Sequence, residues 1–382
     1  MSFEQLVELS QFYGANPQWV LAGGGNTSVK VDGTLYVKAS GTTLAEASEE
    51  TFVKMDRSRL AAVLGKHYPE DSEQREREAL QDLMDARLAG EQRRPSVETL
   101  MHELVPFTFV IHTHPPLING ITCSAEAEAA AQRVFGDDAA WIPNINPGLI
   151  LAKAVGNAVE AYRESHGAPP QLLLLQNHGL VVGADTADEV RQVHARIVAQ
   201  VKQHVSRFPQ LTNVPYDAQR AELLAYQISK QAQELDPGSP EYRSVFLTNR
   251  EVARMVRSQS AFAPLARAFS PDHIVYAGHR IPFLELGDDS FEARKLIGAA
   301  LADFQQEAGR VAPVVAVQGL GVFINGRNPR MMDAAAAVFL DAVQIAVYAE
   351  AFGGATPLPQ EQTDFILGWE VERFRSQVSA GE

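Results

Sequence analysis

The sequence predicts an α/β or α+β core spread over two domains, and three observations lead there. Short apolar runs of strand length alternate with longer stretches that carry helical periodicity and caps. An Asp-Gly pair, Asp32-Gly33, sits between two β-like segments and signals a tight hairpin. The 382 residues exceed one typical domain, and a proline-rich stretch divides them.

Taken in order, residues 3–13 read as a short helix. Trp19 to Leu44 has β character, interrupted by Gly23-Gly24-Gly25-Asn26. A turn at Asp32-Gly33 sets Val31 opposite Thr34 and extends the pairing back to Asn26 opposite Ala39 and Gly25 opposite Ser40. Residues 73–90 form a charged helix, a surface insertion. Ser96, just after Pro95, caps a helix running towards Leu104, with Glu98 two residues inside it. Phe107 to His114 is a buried strand, and Leu149 to Ser165 is a helix. Leu172 to Val182 reads as two strands around a tight turn at Asn177 to Gly179. Thr186 with Glu189 then makes a capping box for a helix reaching about Val205.

Pro209, Pro215, Pro237, Gly238 and Pro240 surround one helix between residues 206 and 245, the expected boundary. It gives domains at 1–210 and 211–382. Leu173 to Leu180 lines up with Val315 to Val322, and each is followed by a helix rich in alanine and valine. Pro106 to Pro115 lines up with Pro271 to Arg280. In that register His112, His114 and His178 become Ala277, His279 and Leu320. The second domain therefore reads as a degenerate repeat that keeps the fold and lacks the histidine set.

Bulk properties narrow the function. Hydrophobic content of 46% and charged content of 21% are those of a soluble globular protein. The net charge of -14 and pI near 5.2 argue against nucleic-acid and anionic-membrane partners. An anionic substrate then needs a local trap against the overall field. The only cysteine, Cys123, excludes an intrachain disulfide and a thiolate zinc cluster. Met1 to Ser10 is amphipathic and unlike a signal peptide, and no apolar run approaches a membrane span, so a reducing cytoplasm is expected.

The chemistry concentrates at His112-Thr113-His114 and Asn177-His178-Gly179. Two histidines at i and i+2 in a strand point to one face, whereas a helix would splay them apart. A third imidazole completes a three-nitrogen set with one open position, the pattern of catalytic zinc. Glu98 lies just upstream; a carboxylate beside an open metal position suits proton abstraction next to a carbonyl. Gly23-Gly24-Gly25-Asn26-Thr27 and Ser40-Gly41-Thr42 meet at one end of the hairpin. Glycines there let N–H groups approach a phosphate, and Asn26, Ser40, Thr42 and Ser96 add donors.

In combination, Gly25 to Ser28, Ala39 to Thr42, Pro95 to Glu98, His112 to Pro115 and Gln176 to Gly179 resemble class II aldolase/adducin domains over roughly residues 1–210. The charged insertion and the later Gly319-Leu320-Gly321 most resemble the aldolase part of bifunctional rhamnulose-phosphate aldolase/lactaldehyde dehydrogenases, without a dehydrogenase part. The resemblance implies αβα layers around an antiparallel-rich sheet, and zinc or another divalent transition metal held by His112, His114 and His178. It implies Glu98 as catalytic acid/base and Asn26, Ser40, Gly41 and Ser96 as phosphate-holding positions. Val97 replaces a second serine often found there, which weakens the phosphate reading. The implied reaction is retro-aldol cleavage of a ketose phosphate to dihydroxyacetone phosphate and an aldehyde, in a homo-oligomer. None of the nine tyrosines matches the acid that family members often supply to the aldehyde oxygen.

Three competing readings exist. Sugar-phosphate decarboxylases and epimerases share the scaffold; the epimerase His-Ala-Asp stretch has no counterpart near Pro143 to Gly148. A non-enzymatic, adducin-like binding protein is disfavoured for the first domain by its full histidine set. It is favoured for the second. A His-x-His hydrolase normally adds a nearby acidic ligand, and Pro115-Pro116-Leu117 supplies none.

Overall fold

The computed structural model describes residues 2–369, in two compact units: residues 2–205 together with Trp369, and residues 206–368. The end of the expected second domain, residues 370–382, lies outside the described residues.

The first unit contains α1 (Ser2–Gly14), β1 (Asn26–Val31), β2 (Thr34–Lys38), β3 (Phe52–Asp56), α2 (Arg57–Gly65), α3 (Ser72–Asp85), α4 (Thr99–Leu104) and β4 (Phe109–Thr113). It continues through α5 (Pro116–Thr122), α6 (Ala127–Phe135), β5 (Ala139–Ile142), α7 (Leu149–His166), β6 (Leu172–Leu175), β7 (Gly179–Ala184) and α8 (Ala187–Lys202). Its seven strands form one mixed sheet in the order β3-β2-β1-β4-β7-β6-β5, antiparallel except between β5 and β6. This is an α/β fold with helices on both faces.

Pleating decides which residues reach which layer. On β4, Phe109 and Ile111 join Leu6, Leu9 and Tyr13 of α1 and Ala187 and Val190 of α8 in one core cluster. Val110, pointing the other way, joins Leu100 and Met101 of α4 and Ala152 and Val155 of α7. His112 shares the face of Val110 by the same alternation. The hairpin turns as its sequence dictates: Asp32 takes a positive φ of 50° and Val31 faces Thr34. Its pairing runs only from Val31 with Thr34 back to Ser28 with Val37. Beyond that, Ala39 bridges to Pro95 and Asn26 pairs with His112, so the strands part where pairing with Ser40 was expected.

The second unit contains α9 (Ala218–Leu235), β8 (Arg243–Leu247), α10 (Arg250–Met255), α11 (Gln259–Phe262), α12 (Pro271–Tyr276), β9 (Phe283–Leu284) and α13 (Ser290–Ala308). β10 (Val314–Val317), β11 (Gly321–Gly326), α14 (Pro329–Ala349) and α15 (Gln360–Gly368) complete it. Its sheet runs β8-β11-β10-β9, with β9 and β10 parallel and the rest antiparallel. The order and strand senses are those of β4-β7-β6-β5 in the first unit.

The alignment of Pro106–Pro115 with Pro271–Arg280 fails. Residues 271–276 are a helix, started by Ser270 at the cap, Pro271 and Asp272, all favourable in a first turn. The strand beside β11 is β8. Val182 pairs with Leu172 and Ile111, and Ile324 pairs in the same way with Val314 and Val245. A second correction concerns apolar length. The helical stretch Pro329–Phe352 is long and apolar enough to cross a membrane, but 67% of its apolar window is buried, as in a core helix.

Buried His194 predicts acid sensitivity. Burial pushes it down from its ordinary 6.5 to about 4. As pH falls through that interval the unfolded chain takes a proton that the folded chain refuses, so stability falls. Calorimetry from pH 7 to pH 4 should show a declining melting temperature, and His194→Gln should flatten that decline. An unchanged slope in the variant would remove His194 as its source.

Candidate functional site

The site is assembled at the end of β4, the β6–β7 turn and the segment before α4. Asn177 occupies the left-handed region at φ 53°, with its N–H donating to the Thr122 carbonyl at 3.0 Å, which delivers His178 to the end of β4. Gly179 follows because nothing larger fits. An added Cβ would lie 2.5 Å from the Thr113 carbonyl oxygen and 2.6 Å from the His114 ring. At Gly25, whose φ is +61°, an added Cβ would lie 2.9 Å from the His112 carbonyl oxygen.

These constraints bring together the three predicted imidazoles. The Nε2 of His112 lies 2.9 Å from that of His114 and 3.4 Å from that of His178. All three ligand atoms fall within 4.8 Å of one another. Nitrogens bound to one tetrahedral zinc at about 2.0–2.1 Å stand roughly 3.3 Å apart, so the set fits a divalent ion. His112 Nδ1 donates to the Leu180 carbonyl at 2.8 Å, which fixes the tautomer and turns Nε2 toward the other two imidazoles.

Glu98 joins them. Its Oε1 is 3.4 Å from His112 Nε2 and 3.3 Å from His178 Nε2. Burial raises this carboxyl, yet the His112 and His178 charges and the Asn26 amide outweigh it and hold Glu98 well below the usual carboxylate range. Glu98 sits at the N-cap position of α4, not two residues inside it, because the helix begins only at Thr99. Ser96 is accordingly not the cap. Its Oγ accepts from the Glu98 N–H and from the Asn26 amide, both at 3.3 Å.

The remaining candidates divide. Asn26 is buried and donates to Glu98 through its amide nitrogen. Ser40 and Gly41 lie on the strand end beside residues 94–96, with the Ser40 N–H donating to the Arg94 carbonyl at 2.8 Å. Thr27 is not brought to the site. It occupies the opposite pleat, and its hydroxyl meets Ser10 of α1 at 2.7 Å. The Thr42 hydroxyl is likewise committed, donating to the Ala39 carbonyl at 2.8 Å.

Three residues escaped the sequence reading. His102, one turn beyond Glu98, is fully buried with Nδ1 2.7 Å from Ser28 Oγ, and its Nε2 meets the Asn26 carbonyl oxygen. Burial and then the His112 charge push it down to about 3, so it is neutral. It thereby orients the Asn26 amide, whose nitrogen faces Glu98. The i, i+4 spacing from Glu98 was the available signal. Lys30 Nζ donates to the His102, Val105 and Phe107 carbonyls at 2.7, 2.6 and 3.0 Å, closing the end of α4. Lys38 is buried and donates to the Gly23 and Gly25 carbonyls at 2.8 and 3.0 Å, placing a cation behind the glycine loop.

Fold and site together define a mixed α/β domain that gathers three imidazoles and a buried carboxylate at the end of one strand pair. The family model for the class II aldolase and adducin N-terminal domain matches residues 4–205, and the chain belongs to that family. A curated relative, the uncharacterized oxidoreductase YuxG of Bacillus subtilis (strain 168), is 24% identical over 99% of this chain. The chain spans 59% of that relative's length. Among solved structures, the N-terminal class II aldolase domain of a conserved Thermoplasma acidophilum protein is similar at 27% identity and TM-score 0.46, covering 53% of this chain and 92% of that one. L-fuculose-1-phosphate aldolase from Thermus thermophilus is similar at 14% identity and TM-score 0.35, covering 52% and 91%.

Gly179→Ala should displace the His114 ring through its added Cβ. Zinc titration by calorimetry should show affinity reduced by about 10–100-fold, the usual cost of disturbing ligand support. Circular dichroism should remain that of a folded protein. Undiminished zinc affinity would mean that the close packing at Gly179 does not position a ligand.

Proposed function

We propose that the first unit is a metal-dependent lyase that cleaves a ketose phosphate by retro-aldol chemistry to dihydroxyacetone phosphate and an aldehyde. The observation that carries this reading is the approach of Glu98 Oε1 to within 3.3–3.4 Å of two of three converging imidazole nitrogens. His112, His114 and His178 would hold zinc or another divalent transition metal, which when bound supplies Lewis-acid polarisation of substrate oxygens. Glu98 takes the proton from the carbon beside the carbonyl in condensation and returns it there in cleavage. Asn26, oriented by His102, holds the Glu98 carboxylate towards that carbon.

Phosphate binding falls to Asn26, Ser40, Gly41 and Ser96, with the buried Lys38 supplying positive potential that offsets the net charge of -14. Thr27 has no part in it, since its hydroxyl is turned to α1.

The same proposal makes the second unit a degenerate repeat without a metal site. The shared strand order supports it, as do matched turns: His178 N–H donates to the Leu175 carbonyl, and Leu320 N–H to the Val317 carbonyl, both at 3.2 Å. In this register Phe246 stands for His112, Thr248 for His114 and Leu320 for His178. None of the three replacements is a good zinc ligand.

His112→Ala should lose bound metal and cleavage activity together. Glu98→Gln should retain metal, measured by atomic absorption, while turnover falls by about 10²–10⁴-fold, the usual contribution of a positioned acid/base. Full turnover in Glu98→Gln would remove the proposed base. A panel of ketose phosphates and sugar-acid phosphates, assayed for dihydroxyacetone phosphate and for carbon dioxide, separates aldolase from decarboxylase. Release of carbon dioxide alone would overturn the aldolase reading.

A further inference from the structure

The second unit contains a groove of about 580 Å³ between the outer edge of β8 and the start of α14. In the first unit the matching place is filled. There α1 lays Leu6, Leu9 and Tyr13 against Phe109 and Ile111 of β4 and Ala187 and Val190 of α8, and Tyr13 packs on His194 with ring centroids 4.5 Å apart. The common strand register converts those seat positions into Arg243, Val245, Pro329, Met332 and Ala336. All five line the groove.

Nothing among the described residues takes the role of α1. Val245 is consequently 56% exposed, whereas its counterpart Ile111 is fully buried. The strand edge differs in the same way: β1 pairs along β4, while β8 ends its sheet. Of nine exposed large hydrophobic residues among those described, eight lie between Phe208 and Leu296, and only Phe12 lies in the first unit. Exposed apolar surface is thus concentrated in the unit that holds this groove.

We infer that the groove is a docking site for an amphipathic helix of a partner protein, seated as α1 is seated in the first unit. The seat fixes the chemistry of the occupant. It takes large apolar side chains at i, i+3 and i+7, the spacing of Leu6, Leu9 and Tyr13. Ala336 stands where His194 supports Tyr13, so the seat is deeper there and takes an aromatic ring. Arg243 replaces Phe109 and is exposed at the rim, where Glu241, Arg327 and Asp333 also line the groove, so the rim of the seat suits a helix with polar residues of both signs beside its apolar face. This inference is independent of the lyase reading.

The test uses the full chain and a fluorescein-labelled peptide of residues 2–14, with a scrambled peptide as control. Fluorescence anisotropy should show saturable binding of the native-order peptide only. Val245→Asp, at an exposed position that leaves the core intact, and Ala336→Arg should each weaken it at least tenfold. Absence of saturable binding, or equal binding by both variants and the parent, would overturn the proposal. Sedimentation of the chain alone provides a second arm. A dimer that Val245→Asp dissolves would give the groove to another copy of this chain and exclude a foreign helix.

Discussion

The antiparallel pairing of β4 with β7 is the constraint on which the site rests. It puts Thr113 opposite Leu180 and His112 opposite Val181, so the chain that leaves β4 and the turn that enters β7 end at one level. The hydrogen bond from His112 Nδ1 to the Leu180 carbonyl ties an imidazole directly to that pairing. A slip of one residue would turn both strand histidines to the α1 face and break that bond together. The sheet register, together with the Asn177 turn that leads into β7, therefore sets the spacing of the imidazoles. Gly25 and Gly179 matter for the same reason: each lets backbone approach the end of β4 that carries the histidines.

A second layer of contacts controls the carboxylate. Glu98 is not held by its helix, which starts one residue later, but by the Asn26 amide and the neighbouring imidazoles. Asn26 is in turn held by His102, whose other nitrogen is occupied by Ser28. Asn26 and Ser28 lie on one face of β1, Glu98 just before α4 and His102 within it. Burial keeps His102 neutral, so it serves as a fixed partner and not as a competing cation. Such a chain of buried, satisfied polar groups is expected to orient a reactive group more sharply than a surface contact would.

Much of this was legible in the residues, because local chemistry and tertiary structure agree at those points. The Asp32-Gly33 hairpin, the Asn177 turn, the Thr186–Glu189 capping box and the i, i+2 histidine pair each encode geometry within a few residues. The parts that were not legible depend on long-range pairing. Thr27 faces away because β1 is bound by β4 on one side and α1 covers its other face, which no local signal reveals. β5 is a four-residue parallel edge strand whose partner lies some thirty residues on. The segment 271–280 invited alignment with 106–115 because it starts on a proline and carries His279, yet residues 271–276 form a helix. The strand that holds the corresponding place in the second sheet's order is β8, whose sequence carries no histidine. In the first unit α1 covers β4 and α8, whereas in the second unit β8 and the start of α14 line an open groove.

The central claim is that three imidazoles hold one cation beside Glu98. Crystals grown with zinc and measured on both sides of the zinc absorption edge test it directly. The account predicts one dominant anomalous peak about 2.0–2.1 Å from the Nε2 atoms of His112, His114 and His178, with Glu98 beside the open position. A dominant peak elsewhere, or none near these nitrogens in a fully folded protein, would contradict it.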